Sequence, residues 1–125
     1  MKKILVIEDN PDNLKLISYA LKRCHYDVVS ADSGEIGVDL ALSDSFSFII
    51  MDIDLPGIDG EEATKRIRAD KKGKDVPIIA ITSFAMAGDR ERILSVGCNG
   101  YFEKPIDPLT IMSAIHNLLG IEDEK

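Results

Sequence analysis

The sequence predicts an α/β fold of the doubly wound kind, a (βα)5 chain with helices on both faces of one parallel sheet. Three features predict it. Apolar, β-branched runs alternate along the chain with stretches of helical period. Several runs are continuously apolar, as strands covered on both faces are, rather than alternating in and out. Cap and turn residues separate the runs at short intervals, leaving no linker and no internal repeat.

Each element has its own justification. "KILVI" (3–7) reads as the first strand, and Asn10-Pro11 places an N-cap before a proline at the first helical position. Leu14, Ile17, Leu21 and Cys24 then recur at helical spacing. "DVVSA" (27–31) is the second strand, with Asp32 and Ser33 entering a helix that carries Ile36, Leu40 and Ala41. "FSFIIM" (46–51) is the third. After it, Asp59 with Glu62 three residues later resembles a capping box, opening a helix with Ala63, Ile67 and Ala69 and a stop expected at Gly73. "VPIIAI" (76–81) is the fourth strand, followed by Ile93, Leu94 and Val96 on a helix ending at Gly97. "GYF" (100–102) is the fifth, and Asp107-Pro108 repeats the cap-and-proline signal before Ile111, Met112, Ile115, Leu118 and Leu119, with Gly120 as the stop.

Composition narrows the function. A chain of 125 residues fits one domain with a sizeable core, and 45% hydrophobic against 30% charged residues is ordinary for a globular protein. The excess of 22 acidic over 15 basic residues gives a formal charge of −7, which argues against a nucleic-acid surface and for cations or basic partners. "ILVI" and "FIIM" are too short to span a bilayer, and "MKKILVIEDN" turns acidic too early for a signal peptide, so the expected location is cytoplasmic, with no membrane partner. Cys24 and Cys98 have no metal or redox spacing and read as small buried apolar side chains. His25 and His116 have no ligand partners and read as structural or solvated.

Chemistry in such folds lies beyond the carboxyl ends of the strands. The first strand delivers Glu8 and Asp9 there, the third Asp52, the fourth Thr82 and Ser83, and the fifth Lys104 with Pro105. Three carboxylates in one pocket repel unless a cation lies among them, and an oxygen-only set on rigid strand ends suits magnesium. A hydroxyl and an ammonium facing them can bind phosphoryl oxygens, an inventory for phosphoryl transfer onto a carboxylate. Each residue also has a plainer reading: Asp9 with Asn10 as a helix cap, Asp52 as the opening of a turn, Lys104 as a solvated charge. "IIMDIDLPGIDG" (49–60) itself fits a phosphohydrolase Asp pair, a calcium loop, a lone phosphate acceptor or a polar turn.

The ordered set "VIEDNPDN", "IIMDIDLPGIDG", "IIAITS" and "GYFEKPID" resembles the response-regulator receiver domain of two-component signalling, over essentially the whole chain. Thr82 lies 30 residues after Asp52 and Lys104 lies 22 after Thr82, as in that family. The resemblance implies a flavodoxin-like sheet of order 2-1-3-4-5. It also implies that Asp52 accepts phosphate from a phosphohistidine on a sensor histidine kinase or histidine phosphotransfer protein. Glu8, Asp9, Asp52 and the backbone carbonyl of Asp54 would hold magnesium (or manganese). Lys104, Thr82 and Ser83 would bind the phosphoryl group, Tyr101 would be the aromatic switch, and Asp54 and Phe84 would tune phosphate lifetime. A cis Lys104-Pro105 bond is the family's habit, whereas trans is the default for the dipeptide alone. The kinase side is expected to meet the first helix near Asn13, Leu14 and Ile17; the downstream target protein is not named by the sequence.

Competing families fit less well. A haloacid-dehalogenase phosphohydrolase carries its Asp pair on the first strand and has Thr or Val where this chain has Pro56. An EF-hand loop opening at Asp52 would have Ala63 in place of its bidentate Glu. A flavodoxin-like electron carrier would need a Ser/Thr-rich phosphate loop after the first strand. The receiver is expected over 1–120 with a hydrophilic tail over 121–125. Met1 before "KKILVIEDN" and the tail "IEDEK" favour a free-standing regulator without a DNA-binding output, the alternative being a receiver cut from a hybrid kinase or larger regulator. No turnover enzyme is expected, only self-phosphorylation and self-dephosphorylation.

Overall fold

A computed structural model describes residues 2–83 and 88–121. Strands β1 (Lys3–Ile7), β2 (Asp27–Ala31), β3 (Phe48–Asp52), β4 (Ile78–Thr82) and β5 (Gly100–Glu103) alternate with helices α1 (Pro11–Arg23), α2 (Gly34–Ser43), α3 (Gly60–Ala69), α4 (Asp89–Ser95) and α5 (Ile111–Leu119). All strand pairs are parallel, in the order β2-β1-β3-β4-β5. This is the expected flavodoxin-like arrangement, and its strand order reverses between β1 and β3, the place where such sheets bind ligands.

The central strands are buried on both faces because their side chains divide between two cores. Leu5, Ile7, Ile49, Met51, Ile78 and Ala80 point to one core, joined by Val38 and Ala41 of α2, Ala63 and Ile67 of α3 and Ile93 of α4. Ile4, Val6, Phe48, Ile50, Ile79 and Ile81 point to the other, joined by Ile17 and Leu21 of α1 and Ile111, Met112 and Ile115 of α5. Strand alternation therefore decides which helix each residue meets. The caps behave as read for α1, where Asn10 Oδ1 accepts from the N–H groups of Asp12 and Asn13 at 2.9 and 3.1 Å. Asp59 and Ser33 cap α3 and α2 in the same way, through the Glu62 and Ile36 amides.

Other boundaries differ from expectation. The third strand starts at Phe48, leaving Phe46 packed on the core from the preceding loop. The fourth starts at Ile78, after Pro77, whose carbonyl accepts from Ile49 N–H. Helix α3 ends at Ala69, and Gly73 instead closes a short 3-10 turn over Lys71–Gly73. Asp107 does not open α5: its carboxylate accepts from the Leu109 amide in a turn, and the helix begins at Ile111. Ile36 and Leu118 are exposed and Ala69 faces solvent, while Val38, absent from the expected pattern, is buried.

The lone polar residues also sort themselves. Cys98 is buried, and burial pushes its thiol up, as expected of an inert core cysteine. Cys24 is only half-buried. His116 is buried against Tyr26, whose hydroxyl lies 2.8 Å from its Nε2. His25 is exposed and turns the chain out of α1 with φ 64°.

Candidate functional site

The site forms where the strands deliver their last residues. β3 runs apolar through Phe48, Ile49, Ile50 and Met51 and ends on Asp52, a side chain that is 2% exposed. Glu8, one residue past β1, is 1% exposed, and its backbone N–H donates to Ala31 O at 3.0 Å, which carries the strand pairing past the end of β1. Glu8, Asp9 and Asp52 each present a carboxylate oxygen within 4.8 Å of the others, with Asp9 on the solvent side. A buried carboxylate pair is costly without a cation.

Lys104 supplies one cation from the end of β5. Its Nζ lies 3.0 Å from Asp52 Oδ1 and 3.4 Å from Glu8 Oε1. Its peptide bond to Pro105 is cis. Burial works against the Lys104 charge, but the hydrogen bond it donates to Asp52 and the charges of Asp52 and Glu8 outweigh it and raise its pKa. One ammonium does not satisfy the whole cluster. Glu8 Oε2 accepts from the Asn10 amide at 3.2 Å, whereas Glu8 Oε1 is buried with no hydrogen-bond partner. Desolvation, helped by the neighbouring Asp52, raises Glu8 from 4.5 to about 7. A buried carboxylate oxygen that has the Lys104 ion pair but no hydrogen bond, beside two more carboxylates, is part of a donor set for a hard divalent cation, so the residues fit magnesium.

The remaining expected residues surround this cluster. Thr82, 1% exposed, ends β4 next to Asp52, and its carbonyl accepts from the Lys104 amide at 2.9 Å. Ser83 follows it and is exposed. Tyr101 is half-buried on the core that α2, α3 and α4 cover. Asp54 is tied to the cluster: its N–H donates to Asp52 Oδ1 at 3.0 Å, and its Oδ2 accepts from the Ser83 amide at 2.9 Å. Phe84 lies outside the described residues. On α1, Ile17 is 3% exposed and belongs to the core, so it cannot be a contact for a kinase; Leu16 and Tyr19 are the exposed apolar residues of that helix.

Gly60 is a site residue to which the sequence reading gave no role. A Cβ there would lie 2.4 Å from the Asp52 carbonyl oxygen and 2.7 Å from Ile53 Cα. The first turn of α3 thus presses directly on the backbone at the end of β3. The residue type was visible, but the close approach depends on how α3 returns to the sheet.

A parallel five-stranded sheet with an acidic cluster, a threonine and a lysine at its carboxyl edge defines a class. The chain belongs to the response regulator receiver domain family, whose model matches residues 4–116. It is 38% identical to the polar-differentiation response regulator DivK of Brucella ovis over 119 residues, 95% of this chain and 97% of that protein. It is also 38% identical to the receiver domain of sensor histidine kinase PA1611 from Pseudomonas aeruginosa, whose structure has magnesium coordinated in the active site cleft (TM-score 0.86, covering 95% of this chain and 98% of that one). The chemotaxis response regulator CheY4 of Vibrio cholerae superposes with a TM-score of 0.88 at 26% identity, over 94% and 98% of the two chains. The protein is therefore a receiver of two-component signalling, a signalling domain rather than a member of an enzyme family. No helix among the described residues is long and apolar enough to cross a membrane.

Proposed function

We propose that Asp52 is the phosphoryl acceptor of this receiver. The observation that carries the reading is the placement of the Asp52 carboxylate, buried at the end of β3, 3.0 Å from the Lys104 ammonium and clustered with Glu8 and Asp9. The carboxylate oxygen attacks the phosphorus of a phosphohistidine on a sensor kinase or phosphotransfer protein. The P–O bond forms, the P–N bond breaks, and the electron pair leaves with the imidazole. Glu8, Asp9, Asp52 and the Asp54 carbonyl would hold magnesium, or manganese, which neutralises charge on the transferring group. Lys104 balances the phosphoryl charge from the other side, and Thr82 and Ser83 lie at the β4 end to receive its oxygens.

The same residues support slow self-phosphorylation from small phosphate donors and self-hydrolysis, without turnover of a separate substrate. Modification biases a pre-existing equilibrium between two arrangements of Thr82 and Ser83, of Tyr101 and of the face formed by α4, β5 and α5. That face binds a target protein preferentially in one of them. The setting is cytoplasmic, and the kinase side meets α1 beside the pocket. Incubation with acetyl phosphate and magnesium, followed by mass location, should place one phosphoryl group on Asp52. Labelling that survives Asp52→Asn, or that needs no divalent cation, would overturn the assignment.

A further inference from the structure

Asp54 touches both sides of the switch. Its amide donates to the Asp52 carboxylate at 3.0 Å, while its own carboxylate accepts from the Ser83 N–H at 2.9 Å. Ser83 is the first residue past β4 and follows Thr82, the buried hydroxyl that must respond to phosphate. Two contacts of the described residues hold Thr82 and Ser83 at the exit of β4. Lys104 N–H holds the Thr82 carbonyl on the β5 side, and Asp54 holds the Ser83 amide on the β3 side.

The two contacts differ in kind. The Lys104 contact is an ordinary backbone bond that extends the β4–β5 pairing. The Asp54 contact is a carboxylate-to-amide bond, stronger than a neutral one and sensitive to nearby charge. An acyl phosphate on Asp52 would carry roughly one and a half to two negative charges where the free carboxylate carries one, and the added charge would lie two residues from the Asp54 carboxylate.

We propose that the Asp54 carboxylate is a latch: by holding the Ser83 amide it keeps the start of the β4–α4 segment in the unphosphorylated arrangement, and negative charge on Asp52 drives it off. The latch rests on the assignment of Asp52 as acceptor. It makes Asp54 a positioning residue that acts through Ser83 and Thr82, not a group that touches the phosphoryl oxygens. A bond present in one arrangement and absent in the other sets their ratio, so its removal favours the phosphoryl-bound arrangement by roughly tenfold.

The test uses beryllium fluoride as a phosphoryl mimic at saturating magnesium, with hydrogen exchange of the Ser83 amide as a second readout. Asp54→Ala should bind the mimic roughly tenfold more tightly than the wild type. Its Ser83 amide should also exchange faster in the mimic-free protein while the β4 amides keep their protection. Asp54→Asn, which lacks the charge but retains an acceptor oxygen, should fall between the two in both measurements. Equal tightening in both variants with Ser83 exchange unchanged would mean that only charge was removed, and would overturn the latch; so would an unchanged or weakened affinity in Asp54→Ala. A wild type that fails to bind the mimic, or binding that survives Asp52→Asn, would overturn the acceptor assignment and the latch with it.

Discussion

Without a metal, the pocket sets Glu8 and Asp52 side by side with the Lys104 ammonium as their only cation among the described residues. Burial, helped by the neighbouring Asp52, raises the pKa of Glu8 from 4.5 to about 7, so a proton taken up there relieves the pair. A pKa raised by folding means that the stabilisation is complete below the unfolded value and is lost as pH rises through the folded one. Metal-free protein should therefore lose stability between about pH 4.5 and pH 7. The loss attributable to this group is on the order of 3 kcal/mol. Urea unfolding in EDTA at pH 5 and pH 8 measures it, and Glu8→Gln should flatten the dependence. Magnesium affinity should rise over the same interval, because binding displaces that proton. A wild type and a Glu8→Gln variant with the same pH profile would remove Glu8 as the titrating group. Glu8 was legible as a carboxylate of the strand-end cluster from its place after β1; its raised pKa was not, because burial on this scale depends on the whole sheet closing over it.

At the scale of the element, the contact between α3 and β3 is the most exacting in the site. Gly60 begins α3 with its α-carbon face against the Asp52 carbonyl, where a methyl group would meet backbone at 2.4 Å rather than a side chain that could move aside. Gly60→Ala should cost roughly 1–3 kcal/mol or more of stability, as overpacking does, and should slow labelling by acetyl phosphate by displacing Asp52 and its carbonyl. Thermal unfolding and labelling rate on the same sample check both effects; unchanged labelling would mean that α3 retreats without disturbing β3. The elements themselves were largely readable, since continuous apolar runs and the Asn10, Ser33 and Asp59 caps are local signals. The departures have separate causes. The Asp107 carboxylate satisfies a turn amide as readily as a helix cap, so Asp-Pro marked a turn three residues ahead of α5. Gly73 lies under Ile67 O, a close approach that stops the chain in a 3-10 turn after α3 has already ended. Ile36 fits the helical period but sits on the open side of α2, because the sheet faces Val38 instead.

Across the whole molecule, the sheet separates the work of its two ends. The carboxyl ends of the strands carry the buried Glu8, Asp52 and Thr82 with Lys104 beside them, the groups proposed above for phosphoryl chemistry. The opposite end carries polar groups that are satisfied. Tyr26 precedes β2 and sets its hydroxyl 2.8 Å from His116 Nε2 on α5, with its ring edge-on to Phe48 of β3 at 5.7 Å. This pairing joins residues 90 apart in sequence and closes the core between α1 and α5. Sequence reading left His116 as structural or solvated, because nothing local indicates a partner so distant. Tyr26→Phe keeps the ring and removes one buried hydrogen bond, so it should lower stability by about 1 kcal/mol. For a domain of this size the melting temperature should fall by about 4 °C. Since the pair lies at the far end of the strands from Asp52, the rate of acetyl-phosphate labelling and the affinity for magnesium should stay at wild-type values. Calorimetry and labelling on one preparation separate the two ends; a labelling rate that fell with stability would show the ends coupled through the sheet, and the division of work between them would not hold.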